Sequence, residues 1–525
     1  MHIESDIIFA TSMQLLEERD RQFLRCALAG VRDPDMIPVL LEQAAVTAQF
    51  PWLSDLARLE CAIHQAGTAS IPQPGTLDSL TINPALRMVP VSWHGLPELL
   101  ATGSESGAAL HPGEEIILVW HTGSEAEILT QPAQPGQLLA LKMVAEGITP
   151  ESAAALHDTP QALFRAALYD ATAEGLLLSP PSAIRRRYPE DNGQSARNRP
   201  EVEVFTLQWH LTQSCDLSCK HCYDRSQRAV FPLERAHSLL QELCRFCDRR
   251  FVRPQVSLSG GNPLLHPHFF DIYQAAAEQG VMTAILGNAA ERSTIERLVQ
   301  IQQPAFYQVS LEGLEQHNDA IRGTGNFQRT VTFLKMLTEL GVPNMVMLTL
   351  TRGNMDQVLP LARRLEGITD GLTFNRLARF GEGAGLELPT KDEYRRFLEQ
   401  YLVAAETSPV LTFKDSLINI VLEQNNRPLF GGCTGHGCGA AFNFVAILSD
   451  GEVHACRKFP SPIGNIHDQG LEEIYHSSLA EQYRNGSSSC SGCSLQSVCR
   501  GCPASAASSG LDPFHDRDPY CFRMW

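Results

Sequence analysis

The chain has 525 residues, a formal net charge of −17 and 15 cysteines. The acidic balance argues against a nucleic-acid partner, and the lack of a run of about 18 apolar residues argues against a membrane span. Many cysteines without an N-terminal signal peptide predict a reducing, cytoplasmic location. A chain of this length is expected to fold as three or four domains.

The N-terminal part of the chain carries no motif that indicates chemistry. Residues 1–70 are predicted to form a helical region, and residues 84–184 contain short strands followed by two helices on either side of ITPESAAALHDT. That order predicts a winged-helix-like domain. Few basic residues lie on its second helix, which argues against DNA binding and leaves peptide recognition by strand addition and a purely structural role as the alternatives. Residues 185–200 are polar and are predicted to be a linker.

Between residues 201 and 415, strand signals alternate with amphipathic helix signals. Six runs rich in β-branched and aromatic residues are predicted strands, namely 203–212, 255–260, 283–288, 306–313, 345–352 and 372–379. This alternation predicts an α/β fold, a partial (β/α)6 TIM-like barrel that is partly open. Barrel enzymes place their chemistry at the carboxyl ends of the strands, so the segment after the first strand is of most interest.

Three cysteines follow that first strand in the run LTQSCDLSCKHCYDRS. Cys215, Cys219 and Cys222 can hold three irons of a [4Fe-4S] cluster and leave the fourth iron open to a small molecule, whereas structural clusters normally have four cysteine ligands. A closed zinc site also needs four ligands, and His221 lies too tightly between Cys219 and Cys222 to serve well as one. The pattern favours a catalytic cluster, with three incidental thiols as the alternative.

These residues resemble the radical S-adenosylmethionine (SAM) superfamily, whose motif after the first strand is Cys-x3-Cys-x-aromatic-Cys. His221 fills the aromatic position. A second family motif, Gly-Gly-Glu-Pro, is present as GGNP after the second strand. There Asn262 keeps a carbonyl acceptor but loses the charge of the usual glutamate. The resemblance implies that SAM binds at the open iron beside His221 and contacts Gly260, Gly261, Asn262, Pro263, Ser310, Glu312 and Arg322.

Residues 416–525 contain a second set of cysteines, for which two zinc sites are the alternative to iron–sulfur clusters. Their spacing resembles the SPASM extension of peptide-modifying radical SAM enzymes, although Cys499 and Cys502 lie one residue closer together than usual. The resemblance implies a first auxiliary [4Fe-4S] cluster on Cys433, Cys438, Cys456 and Cys502. It implies a second auxiliary cluster on Cys490, Cys493, Cys499 and Cys521.

The same resemblance implies a function. A radical SAM peptide maturase would cleave SAM reductively to a 5′-deoxyadenosyl radical and modify cysteines, or their neighbours, in a ribosomally made precursor peptide. It would need an electron donor such as flavodoxin or ferredoxin. Runs such as SGGNPLLHPHF are most similar to the thio(seleno)oxazole, or selenobiotic, peptide maturases. A maturase that makes thioether crosslinks or epimerises residues shares all of these motifs and is one alternative. The others are a sulfatase-type maturase that forms formylglycine and a non-catalytic iron–sulfur redox or scaffold protein. The resemblance also favours leader-peptide recognition by residues 84–184 over a purely structural role.

Overall fold

The computed structural model describes residues 9–15, 21–22, 36–42, 50–103, 109–123, 127–186 and 201–523. The chain forms two compact units, Met1–Pro181 and Ser182–Trp525. The finer division into domains 1–70, 84–184, 201–415 and 416–525 stays a prediction. Most of the predicted linker, from residue 187 onward, lies outside the described residues. Within the described ranges, no helix combines the length and the apolar composition that a membrane crossing requires.

The first unit packs helices against an antiparallel sheet. Its strands are β1 (Thr81–Ile82), β2 (Arg87–His94), β3 (His111–Trp120), β4 (Leu129–Pro132) and β5 (Leu177–Leu178). Strands β2, β3 and β4 form a three-stranded sheet in that order, and β1 pairs with β5. Among the described part of its first hundred residues, the helices are Ala10–Leu15, Met36–Glu42, Leu53–Thr68 and Leu96–Thr102. Leu53 and Leu56 are buried with Ile117 and Val119, so the helix Leu53–Thr68 and strand β3 share one core.

Three helices, rather than the predicted two, follow this sheet. They are Pro135–Glu146, Pro150–His157 and Gln161–Ala173. The middle helix occupies the segment that was expected only to connect its neighbours. Thr149 and Ser152 form a capping box at its start, and Pro150 stands where a helix tolerates proline best. These local signals are sufficient to begin a helix within ITPESAAALHDT.

The second unit is built on a parallel sheet whose strands follow chain order. They are β6 (Val204–Thr212), β7 (Arg253–Gly260), β8 (Met282–Leu286), β9 (Phe306–Ser310), β10 (Asn344–Leu350) and β11 (Gly371–Arg376). The helices between them are Leu233–Asp248, Phe269–Glu278, Arg292–Ile301, Glu315–Arg322, Asn326–Glu339 and Val358–Leu365. Each of the six predicted strands is present. The predicted α/β fold is confirmed, because these strands pair in parallel with helices between them.

The C-terminal region extends this sheet beyond its first strand. Strand β12 (Phe444–Ile447) pairs in parallel with β6, and β13 (Glu452–His454) and β14 (Pro462–Asn465) continue the sheet in antiparallel fashion. The helices of this region are Lys391–Ala405, Ile418–Gln424, Leu471–Tyr475, Ser478–Asn485 and Pro503–Ser508. Strand β6 is thus hydrogen-bonded on both sides, and the cysteine-rich tail is continuous with the barrel sheet.

A buried ion cluster joins the last barrel strand to the tail. Arg376, at the end of β11, donates to Asp415 at 2.6 Å and to both carboxylate oxygens of Asp518 at 2.7 Å. The side chains of Arg376 and Asp518 are 4% and 1% exposed. Asp518 also accepts the Cys502 N–H at 2.8 Å, so the ion cluster holds the backbone of a predicted cluster ligand.

Replacing Arg376 by leucine is expected to lower the free energy of unfolding by about 3–5 kcal/mol, because two buried carboxylates lose their counter-charge. Anaerobic urea denaturation followed by tryptophan fluorescence measures the change. Arg292→Leu is the matched control, since Arg292 pairs with Glu339 at 2.5 Å on the surface and surface pairs contribute at most about 1 kcal/mol. Equal losses in the two variants would contradict this account.

Candidate active site

The three clustered cysteines lie on the loop between β6 and the helix Leu233–Asp248. Cys215 is exposed, and Cys219 and Cys222 are half-buried. The loop is held from two sides: the Lys220 N–H donates to the Ile321 carbonyl at 3.0 Å, and the Cys222 carbonyl accepts the Glu382 N–H at 3.0 Å. Segments distant in the chain therefore fix the places of the thiols.

All three cysteines border one cavity of about 460 Å³. Its volume lies within the range of about 300–1,000 Å³ that small-molecule sites occupy. Of the predicted SAM contacts, those on the cavity wall are His221, Gly260, Gly261, Ser310 and Arg322. Three other predicted contacts, Asn262, Pro263 and Glu312, are buried and do not border it. The ends of strands β6 to β10 all contribute to the wall, which places the cavity at the carboxyl edge of the parallel sheet.

Hydrogen-bond donors lie close to two of the thiols. The Asn288 side-chain amide donates to Cys215 Sγ at 3.5 Å, and Arg322 Nη1 donates to Cys219 Sγ at 3.7 Å. Burial raises the pKa of Cys219, Arg322 opposes that rise, and Cys215 and Cys222 add to it. The three sulfurs are therefore close enough to repel one another as thiolates, and a cation stands beside them.

The glycines of the GGNP segment bring its backbone against the cysteine loop. Gly260 has φ +134°, which favours glycine. The Gly261 N–H donates to the Thr212 carbonyl, and the Asn262 N–H donates to the Ser214 carbonyl, both at 2.8 Å. A Cβ on Gly261 would lie 2.7 Å from the Gln213 carbonyl oxygen and still closer to that of Ser214. Only glycine permits this approach.

Asn262 turns away from the cavity and joins a polar network behind it. Its side-chain amide donates to Asp216 at 3.0 Å, and Asp216 also accepts from Asn288 at 2.6 Å and from Arg329 at 3.0 Å. Although burial opposes the effect, these donors lower the pKa of Asp216. The carboxylate next to Cys215 is thus ionised and fully engaged. The sequence motifs did not single out Asp216, although it directly follows the first cysteine.

Glu312, Arg322 and His221 form a second buried network. Glu312 Oε1 accepts from Arg322 Nη2 at 2.7 Å and lies 3.0 Å from His221 Nε2, and its Oε2 accepts the Thr349 N–H at 2.9 Å. Burial would raise the pKa of Glu312, but His221 and Arg322 together lower it to about 2. Both carboxylate oxygens are engaged within the protein. Glu312 fixes Arg322, and Arg322 in turn reaches Cys219.

The cavity wall also includes residues that the motifs did not indicate. His210 at the end of β6, Tyr223 and Asp224 after Cys222, and Arg457 after Cys456 all line the wall. Burial, with the charge of Arg457 beside it, lowers the pKa of His210 well below its usual value, so its imidazole is neutral. Tyr223, Asp224 and Arg457 each lie within two residues after a predicted cluster ligand, and that adjacency was the available sequence signal. His210 carried no such signal.

The eight C-terminal cysteines lie in two groups. Burial raises the pKa of Cys438, and Cys433, Cys502 and Cys456 raise it further. The members of the other group, Cys490, Cys493, Cys499 and Cys521, border a second, small cavity of about 30 Å³. Burial raises the pKa of Cys490 to about 11, with Cys493 and Cys521 adding to the shift. In both groups several thiols face one another in a poorly solvated place.

The donor sets at these sites suit iron–sulfur clusters, because such clusters take thiolate ligands and each site brings three or four thiols together. Cations also stand by the thiols: Cys502 and Cys456 are among the groups that raise the pKa of Lys458, against the effect of burial. Arg523 Nη1 donates to Cys493 Sγ at 3.6 Å.

Comparison with known proteins identifies both regions. A model of the radical SAM superfamily matches residues 209–365, and a model of the SPASM iron–sulfur cluster-binding domain matches residues 438–503. The mycofactocin maturase MftC of Mycolicibacterium smegmatis is 30% identical in an alignment of 336 residues that covers 61% of this chain and 83% of MftC. The subtilosin biosynthesis protein AlbA of Bacillus subtilis is 26% identical over 52% of this chain, and the match spans 60% of AlbA.

Among solved structures, Streptococcus suis SuiB bound to its precursor peptide SuiA has a similar fold. The TM-score is 0.52 at 20% identity, with coverage of 78% of this chain and 97% of SuiB. At this level of identity the likeness concerns the fold alone.

Replacing Gly261 by alanine is expected to displace the cysteine loop, because the added methyl group meets backbone carbonyls that cannot rotate away. Anaerobically reconstituted protein should then lose about four irons per chain, the content of one [4Fe-4S] cluster. Iron analysis and electron paramagnetic resonance (EPR) spectra measure the loss. Gly385→Ala is the control, since a Cβ there meets nothing within 4 Å. Full iron content in Gly261→Ala would refute the role given to this contact.

Proposed function

The chain belongs to the radical SAM superfamily and carries its SPASM extension, and on this premise we propose that it is a peptide maturase. In this proposal it modifies cysteines or their neighbours in a ribosomally made precursor peptide, and the nearest class is that of the thio(seleno)oxazole maturases. The observation that carries the proposal is a ligand-sized cavity bordered by three cysteines of the radical SAM motif. Two relatives support it: AlbA is a biosynthesis protein of the bacteriocin subtilosin, and MftC is the mycofactocin maturase.

The enzyme's radical SAM domain binds a [4Fe-4S] cluster together with SAM, and its SPASM domain binds auxiliary iron–sulfur clusters. When bound, the cluster supplies the electron that divides SAM into methionine and a 5′-deoxyadenosyl radical, the species that takes hydrogen from a substrate. We assign the cavity cluster to Cys215, Cys219 and Cys222. We assign the auxiliary clusters to Cys433, Cys438, Cys456 and Cys502, and to Cys490, Cys493, Cys499 and Cys521. A flavodoxin or ferredoxin is the proposed reductant.

The protein's own residues prepare the cavity for this chemistry. Asn288 and Arg322 donate to cavity thiols, and hydrogen bonds to cluster sulfurs help to set the potential. Gly260, Gly261, Ser310 and Arg322 are proposed to contact SAM directly because they form the wall. Asn262, Pro263 and Glu312 are proposed to act from behind the wall, where they hold the cysteine loop and Arg322 in place.

A sulfatase-type reaction is less well supported, because it needs a carboxylate base. The carboxylate on the described cavity wall is Asp224. It accepts from Gln213 at 3.1 Å and lies near Arg228 and Arg457. Although burial opposes them, hydrogen bonds from Ser226 and the charges of Arg457 and Arg228 lower the pKa of Asp224. A general base works best with a pKa near the operating pH, so an ionised, doubly paired aspartate suits that role poorly.

The N-terminal unit is proposed to recognise the leader part of the precursor. Strand addition to a sheet edge is the mode considered, but β2 offers few donors on its free side. Pro90 has no N–H, and the Ser92 N–H already donates to Asp55 at 2.7 Å. These features protect an edge strand against pairing. Leader binding along β2 is therefore disfavoured, and the other faces of the unit remain for this role.

Replacing Cys215, Cys219 and Cys222 together by alanine tests the catalytic assignment. Three [4Fe-4S] clusters correspond to about twelve irons per reconstituted chain, and the triple variant should retain about eight. It should form no 5′-deoxyadenosine from SAM and dithionite, as measured by liquid chromatography and mass spectrometry. Alanine at Cys244 and Cys247, which are buried in a helix outside the cysteine groups, is the control and should keep full iron and SAM cleavage. SAM cleavage by the triple variant would disprove the assignment.

Removing residues 1–181 separates recognition from chemistry. The cut retains Ser182–Arg186 because Arg186 donates to the His436 carbonyl at 3.1 Å and to the Arg484 carbonyl at 2.6 Å within the second unit. The truncated enzyme should still cleave SAM without substrate but should fail to modify its precursor. A short cysteine-rich precursor encoded beside this gene is the peptide to use, with mass spectrometry of the product as the readout. Modification at the full-length rate would assign the N-terminal unit a structural role instead.

A further inference from the structure

Arg457 lies between the cavity cysteines and the first auxiliary group. It directly follows Cys456 in the chain, and its side chain borders the cavity that Cys215, Cys219 and Cys222 also border. The Arg457 side chain is only 14% exposed. A single guanidinium therefore links the neighbourhoods of two cysteine groups that the proposed function assigns to different clusters.

Arg457 contacts residues that lie next to the cavity cysteines in the chain or on the cavity wall. Its Cζ lies 4.2 Å from the ring centroid of Tyr223, the residue that follows Cys222. Its Nε donates to the His210 imidazole at 2.9 Å. Tyr223 follows Cys222 and Arg457 follows Cys456, so this stacked pair is a direct contact between the two cysteine segments. Both partners are planar, which fixes the position of the charge.

Arg457 itself has one carboxylate partner, and that partner is not in close contact. Asp224 lies 3.6 Å from Nη2 of Arg457. Arg228, which lies 3.5 Å from Asp224, has two further carboxylates as closer partners. His210 accepts a hydrogen bond from Arg457 without supplying negative charge. The Arg457 guanidinium is therefore a fixed positive charge on the cavity wall, in a poorly solvated place.

We propose that Arg457 raises the reduction potentials of both the cavity cluster and the first auxiliary cluster, because its fixed positive charge favours the reduced state of each. One-electron reduction adds a negative charge to a cluster, and a nearby fixed cation stabilises that charge more strongly where water is excluded. The inference rests on the proposed ligand sets of these two clusters. It does not depend on which peptide is modified, because the reduction potentials of the clusters are measured without substrate.

The test is an EPR-monitored redox titration of the full-length, reconstituted enzyme with dithionite, without SAM or peptide. Arg457→Gln should lower the equilibrium constant for reduction of both clusters about tenfold, a shift of 59 mV to more negative potential. Arg457→Lys keeps the charge and should stay close to wild type. Iron analysis of each variant, together with the cysteine triple variant, shows separately whether the ligand assignment holds.

Arg523→Gln is the matched control, because Arg523 donates to Cys493 Sγ in the second auxiliary group. It should shift the second auxiliary cluster alone. Unchanged potentials in a fully loaded Arg457→Gln variant would overturn the proposal, as would an equal shift in Arg457→Lys. If Arg457→Gln does not load iron, Asp224→Asn is the variant that tests the proposal. Removal of the negative charge of Asp224 should move both reduction potentials in the positive direction. The absence of a shift, or a shift to more negative potential, would overturn the proposal.

Discussion

The close approach of two loops, one after β6 and one after β7, is the contact on which the site depends. Backbone N–H groups of Gly261 and Asn262 donate to carbonyls of Thr212 and Ser214, immediately before Cys215. Two glycines permit this contact because a Cβ would overlap the cysteine loop. The contact fixes the first cysteine relative to the strand ends that form the cavity wall. Asp216 then ties the same loop to Asn262, Asn288 and Arg329 through side chains.

Burial of several thiols in one place is a second constraint, since thiolates in poorly solvated sites repel one another. The structure places cations beside them, although the chain carries a net charge of −17. Arg322 reaches Cys219, and Arg523 reaches Cys493. Arg322 is itself held by the buried carboxylate of Glu312. A guanidinium thus lies beside a thiol in each of these groups, and a neighbouring carboxylate pairs with it.

The joining of β12 to β6 makes the barrel and the C-terminal region one structure. This pairing brings the segment after β13, with Cys456 and Arg457, to the edge of the active-site cavity. The buried pair of Arg376 and Asp518 gives a second connection, and Asp518 holds the backbone at Cys502. A tail rich in glycine and serine is thereby positioned by the barrel even before metal adds its own crosslinks.

The sequence by itself determined the parallel strands and the cysteine spacing, because both depend on residues that are close in the chain. Runs such as 203–212 are rich in β-branched and aromatic residues, and the three cysteines of the loop lie within eight residues. Only the tertiary structure decided which side chains face the cavity. Glu312 is turned inward to Arg322, and Asn262 is turned to Asp216. Arg457 reaches the site from 235 residues beyond Cys222 in the chain. No local pattern encodes such contacts, since they arise when distant strands pair and enclose polar groups that must find partners.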